Sequence, residues 1–368
     1  MKSIRAFIPL IVIVALVIGY TLTDPNRLSL DLLNTILIFA TFATAWNIAG
    51  GMTGLFSLGH GALFAIGAFV TTILRLSYGV PTLLAILISA IVAVLVALFI
   101  GAISLRLRGH YFALATLGLA AIMFIVLQNL SDFTGGDEGI VIPKEVSPLN
   151  LIFQTKAEYV YVTLGLYAIT ALVVILLSRS KRGYQMLAVK EDEVSARSIG
   201  IPAVRVKMFA VGLSGFFSAL AGAMFAQYTL YVTPANVGSI AVTWEAPLMA
   251  IIGGMIGVFG PLLGATLITL LEHYVVEAVG TAIPGLSNFL YGALLIVCIL
   301  LLPNGIMGIL RSFGDWVRRK ATRQAKAPAR IDTVAISVPE TDGIADPDSA
   351  AEETGADGVG THRKQEQA

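Results

Sequence analysis

Charge is scarce in this sequence. Lys, Arg, Asp and Glu make up 13% of its 368 residues, about half the usual share for a soluble domain. The shortage is concentrated in long apolar runs; hydrophobic residues reach 57% and mean hydropathy is +0.84. That excludes a soluble globular fold and predicts an all-α polytopic membrane protein. The net charge of +1 excludes nothing, because such chains sort charge by side of the membrane. Cysteine is nearly missing: Cys298 is alone, so no intramolecular disulfide is possible. Four scattered histidines offer no metal-ligand cluster, and no metal is expected. The G-x-x-x-x-G-K-S/T phosphate loop is absent, so this chain does not hold ATP by that route. An Arg-rich voltage-sensor helix and a K⁺-filter sequence are missing too. No nucleic-acid partner is expected.

The apolar runs predict about ten spans, near 6–22, 31–49, 55–75, 81–104, 110–130, 158–178, 206–227, 243–258, 261–278 and 288–302. The eighth and ninth are short and rich in Gly and Pro, and also read as one broken or re-entrant element. Lys2 and Arg5 precede the first run without a small-residue cleavage site, so a retained span is expected. Basic residues set the orientation. With the N-terminus inside, the inner segments hold Arg106, Arg108, seven cations from Arg179 to Lys207 and all those after the last span. The outer segments hold Arg27, Arg75, Lys144 and Lys156. Both termini are therefore expected in the cytoplasm, with a membrane domain over 1–310 and a mostly disordered cytoplasmic tail over 311–368.

One polar passage interrupts the spans with helix signals of its own. Within the inside loop 179–205, the acids Glu191, Asp192 and Glu193 come first, where they suit a helix N-terminus. Glu193 and Arg197 stand four apart in the favourable order. Gly200 and Pro202 form a stop signal. Val189, Val194, Ile199 and Ile201 give a rough apolar side. Such a helix is a handle for a soluble partner; an ordinary solvated loop is the plainer reading.

Two glycine-dense stretches fall among the spans, GGMTGLFSLGHGALFAIG at 50–67 and GGMIGVFGPLLG at 253–264. Both begin GGM-x-G, a trace of internal duplication. Glycine at membrane depth loosens a helix or lets backbones approach, and paired interrupted segments mark transporter pathways. The candidate pathway residues are Gly54, Ser57, Gly59, His60, Gly61, Gly253, Gly254 and Gly257; tight helix packing is the alternative. Ser57 and His60 are three apart, but no acid lies nearby to orient a hydrolase pair. Glu245, Glu272, His273 and Glu277 fall near the outer ends of spans eight and nine, as members of a proton relay or as interfacial groups.

These passages resemble the permease subunits of branched-chain amino-acid ABC importers, the LivM-type more closely than the LivH-type. The resemblance rests on TGLFSLGHGALFAIGAF (53–69), TGGDEGI (134–140), KEDEVSARSIGIPAVRVKMFAVGLSGFFSALAGAMFA (190–226), GGMIGVFGPLLGA (253–265) and LPNGIMGI (302–309). It implies a multi-pass protein of the cell inner membrane that is not itself an enzyme. The implied partners are a second, LivH-type permease, two cytosolic ABC ATPases that carry the ATP, a periplasmic or extracellular substrate-binding protein, and membrane lipid. It also implies that Lys190–Ile199, closed by Gly200, is the coupling helix that docks on an ATPase. Glu191, Asp192, Glu193, Val194, Ala196, Arg197, Ile199 and Gly200 are its candidate residues. The Glu-Ala-Ala…Gly pattern of such helices is incomplete here, because Val194-Ser195-Ala196 precedes Gly200. The expected cargo is Leu, Ile and Val; urea, short amides or other amino acids are alternatives. An ion-coupled secondary transporter using His60 or Glu245 is the reading from another class.

Overall fold

The computed structural model describes residues 7–279 except 24, 106, 108 and 256, together with 292, 293, 296, 300 and 305–308. The chain divides after Arg318, and all described residues belong to the first unit, Met1–Arg318. The expected tenth span, apart from 292, 293, 296 and 300, and the tail therefore lie outside the described residues.

Helices dominate the architecture. The first six are α1 (Ile8–Leu22), α2 (Arg27–Thr53), α3 (His60–Tyr78), α4 (Thr82–Ser104), α5 (His110–Asn129) and α6 (Ser131–Thr134). They are followed by α7 (Lys156–Ser178), α8 (Lys181–Glu191), α9 (Glu193–Ser198), α10 (Ala203–Thr229), α11 (Pro234–Gly238), α12 (Ile240–Gly253) and α13 (Phe259–Val279). Among the described residues, seven stretches are long and apolar enough to cross a membrane: α2, α3, α4, α5, α7, α10, and α11–α12 taken together. A minor β component joins them. β1 (Ile140–Val141) pairs antiparallel with β2 (Tyr231–Val232), Ile140 opposite Val232, and ties the TGGDEGI passage to the end of α10.

α2 and α10 form the centre, and both are buried along most of their length. α4 shows why the outer helices stay outside. Leu83, Leu87, Ile91, Leu95, Phe99 and Ile103 recur every four residues on its exposed face. Ala85, Ser89, Ala93, Ala97 and Gly101 recur every four on the buried face. Large apolar groups suit lipid, and small ones let helices close on each other where no hydrophobic effect drives them together. α3 and α10 cross at backbone contact. A Cβ at Gly67 would overlap the Ala219 backbone, and one at Gly222 would overlap the Phe64 carbonyl.

Polar contacts pin the two ends of the bundle. At the ribbon end, Asp31 of α2 accepts from Lys156 of α7 and from the Tyr228 hydroxyl of α10. Arg75, counted with the outer cations at the end of the third span, lies in the last turn of α3, where it is buried and donates to Gln227 Oε1 at 2.9 Å. At the opposite end, α8 and α9 lie against α10.

The two GGM-x-G passages occupy matching turns at unequal depth. Gly50 and Gly51 are helical, so the first break falls between α2 and α3 at 54–59 and not inside a span. Gly54 and its counterpart Gly257 both have positive φ, +71° and +78°, which glycine adopts without strain. Gly54 packs on Lys190, beside α9. The second turn lies alongside the middle of α7 with Met255 and Gly257 exposed: Asn47 donates to the Gly257 carbonyl at 3.0 Å and the Tyr167 hydroxyl to that of Val258 at 3.1 Å. Tyr167 stands about 16 Å along α7 from Lys156, near the middle of that helix. The α12–α13 hairpin thus runs in from the ribbon end and turns at mid-bundle. Its non-helical backbone is tolerated there because side chains of α2 and α7 satisfy the freed carbonyls.

Candidate functional site

The polar passage folds as two helices rather than one. Asp192 is extended, and its Oδ1 accepts from Ser195 N at 2.8 Å, capping α9. An Asp that can cap the following turn competes with helix continuation. The expected single helix over 190–199 is therefore corrected: Glu191 ends α8, Asp192 is the cap, and α9 is Glu193–Ser198. Gly200 closes it at φ +86°. Gly200 N donates to the Arg197 carbonyl at 2.9 Å and Ile201 N to that of Ala196 at 3.0 Å.

The expected apolar side is divided as well. Val189 is on the buried face of α8, and Ala196 is the buried residue of α9. Val194 and Ile199 face outward, 68% and 76% exposed. Glu191, Asp192, Arg197 and Gly200 are exposed. Glu193 is the anchor. Its carboxylate accepts from Arg197 and from Lys207 of α10, each at 2.5 Å. Partial burial pushes that carboxyl up, but the hydrogen bonds and charges of Lys207 and Arg197 outweigh burial and hold it below the usual carboxylate range. Arg182 adds a second fastening, its guanidinium 4.4 Å from the Phe209 ring centre. The result is a short helix fastened to the end of the bundle with two apolar side chains left exposed. Beside it, a cavity of about 600 Å³ is lined by Gly54, Leu55, Phe112, Val189, Glu193 and Lys207, among others.

The candidate pathway residues are placed differently from the expectation. Of the eight, Gly54 borders that cavity. Ser57, His60 and Gly61 are buried in packing. His60 Nε2 lies 2.5 Å from Ser214 Oγ, which donates to the Ala45 carbonyl at 2.8 Å. The Ser214 hydroxyl has one hydrogen, so it accepts from His60. Ser57 takes no part in that bond; its Oγ accepts from Gly59 N at 3.3 Å, and its carbonyl accepts from Trp46 Nε1 at 2.7 Å. The Ser57–His60 pair required for a hydrolase is therefore not formed. Gly61 packs on Thr243, and Gly253 on Gly260 and Gly264. Gly254 is the C-cap of α12. These glycines let backbones touch.

Several groups were missed by reading along the chain. Asp31, Lys156, Tyr228 and Ser214 become significant only through partners more than a hundred residues away. Glu245, Glu272 and His273 share a cavity with Asp31 between α2, α10, α12 and α13. Among the described residues, no group of three or more His, Cys, Asp or Glu is arranged to hold a metal ion.

Residues 28–299 match the family described as branched-chain amino acid transport system / permease component. The high-affinity branched-chain amino acid permease protein LivM of Salmonella typhimurium is 27% identical over 309 residues, covering 78% of this chain and 71% of the relative. The LivM protein of Escherichia coli matches to the same extent. The LivH protein of Salmonella typhimurium is 23% identical over 285 residues, covering 73% of this chain and 91% of its own length. Among solved structures, PsaBC from Streptococcus pneumoniae in complex with Fab aligns with a TM-score of 0.40 at 14% identity, covering 77% of this chain and 95% of that one.

Proposed function

Because the chain belongs to the branched-chain amino acid transport permease family, we propose that it is the path-forming permease subunit of an ABC importer for leucine, isoleucine and valine. ATP is hydrolysed on separate cytosolic ATPases, and a substrate-binding protein delivers the amino acid. The second permease is LivH-type; the likeness of this chain to both LivM and LivH proteins supports a pair of related subunits. The protein sits in the cell inner membrane with about ten spans and both termini in the cytoplasm.

One observation carries the coupling role. α9 is fastened to α10 by Glu193 and Lys207, yet presents Val194 and Ile199 outward. A groove on an ATPase that took those two side chains would push on α10, the central helix, through the Glu193 anchor. The seven cations from Arg179 to Lys207 cluster at this end, which supports its cytoplasmic placement.

Proteoliposomes holding the complete transporter test this reading. Val194→Asp and Ile199→Asp should each lower ATP-driven leucine uptake at least tenfold while the chain remains assembled with its partner permease. Uptake that persists without the ATPases, driven by an ion gradient, would sink the proposal.

A further inference from the structure

The cavity between α2, α10, α12 and α13 plays no part in docking an ATPase. It measures about 580 Å³ and opens at the surface of the chain, within the range of small-ligand sites. Among the described residues its wall carries three carboxyl groups, Asp31, Glu245 and Glu272, together with His273, and neither Lys nor Arg. They are not equivalent. Asp31 is already satisfied by Lys156 and Tyr228. Glu245 is half-buried, but its Oε2 is fully buried and meets no hydrogen-bond partner among the described residues. Glu272, a second carboxyl group, lines the same cavity. A buried acceptor without a donor is costly in a membrane bundle, and this one lines a cavity. The rest of the wall includes Phe39, Phe225 and Val242. The ligand that fits is small, with a compact hydrogen-bond-donating cation at one end and an apolar body.

We propose that this cavity binds the primary ammonium group of an amino acid in transit, with Glu245 accepting from the ammonium, Glu272 adding negative charge, and the aromatic and aliphatic wall holding the side chain. The proposal rests on the importer reading and deepens it. A metal ion does not fit, because the described His and carboxylate groups do not converge as ligands. An organic ammonium needs only one good acceptor and negative surroundings.

A thiol at the cavity mouth gives a test that does not depend on uptake. Cys298 is the sole cysteine, so Ala241→Cys in a Cys298→Ala chain, within the complete transporter, reports on this cavity. Leucine and isoamylamine (the same side chain and ammonium without the carboxylate) should slow labelling by a cationic thiosulfonate at least fivefold. The compound 4-methylpentanoate, which lacks the ammonium, should not. Glu245→Gln should abolish that protection and lower leucine uptake at least tenfold without loss of the partner permease. Equal protection by 4-methylpentanoate, protection retained in Glu245→Gln, or protection by phosphatidylethanolamine vesicles without leucine overturns the site. If Glu245→Gln imports leucine normally with ATP, the ammonium site fails and the importer stands. If the native complex shows no ATP-dependent uptake at all, the importer reading fails first.

Discussion

Replacing Glu193 by Gln removes the charge that holds α9 to the bundle while keeping its shape. The arm to Arg197 is weak, because Arg197 is half exposed; such pairs contribute a few tenths of a kcal/mol. The arm to Lys207 is stronger, since the lysine side chain is 14% exposed and would be left nearly buried without its partner. Together they stabilise the docked α9 by about 1–2 kcal/mol, a factor of roughly 5–30 in its opening equilibrium. Amide hydrogen exchange of the purified complex reads this directly. Protection of residues 195–201 should fall by that factor in Glu193→Gln, while the middle of α10 is unchanged. Lys207→Gln should cost a similar amount alone and little more when combined with Glu193→Gln, the mark of a shared interaction. The folded-state pKa of Glu193 lies below the ordinary carboxylate value of 4.5. The stabilisation is therefore fully present above about pH 4.5 and is lost as pH falls through the folded value. Unaltered exchange in Glu193→Gln, or strict additivity of the two changes, would refute the anchor and with it the route from α9 to α10.

Three further substitutions test the packing. Gly222→Leu drives a side chain into the Phe64 backbone and should lower thermal stability by several kcal/mol; size-exclusion recovery after heating measures this, and native-like recovery would count against the α3–α10 crossing. His60→Ala removes the partner of Ser214 and leaves a void, so it should destabilise by about 2–4 kcal/mol. Ser57→Ala should cost under about 1 kcal/mol and leave uptake intact, whereas loss of uptake with normal stability would revive a chemical role for Ser57.

Legibility along the chain depended on the range of each interaction. Glu193 with Arg197, and Gly200 as a stop, are neighbours within one helical turn, and both were readable. The break at Asp192 was not, because helix continuation and capping by the same residue are nearly balanced, and the capped turn prevailed. Val194 and Val189 look alike in sequence, yet one is exposed and the other buried, since a kink rotates α9 away from α8. The glycine stretches announced an irregular backbone but not its depth, which Asn47 and Tyr167 set from other helices.

The sequence by itself determined the membrane setting, the helical class, the positions of most spans and the basic end of the bundle. Each follows from how many apolar or charged residues stand together in a row. Only the tertiary structure decided that His60 answers to Ser214, that the α12–α13 hairpin turns at mid-bundle, and that Glu245 and Glu272 share a cavity with Asp31. Those facts require residues from distant helices to meet, and which helix faces meet is set by close packing of small residues such as Gly67, Ala97 and Gly222, not by any local pattern.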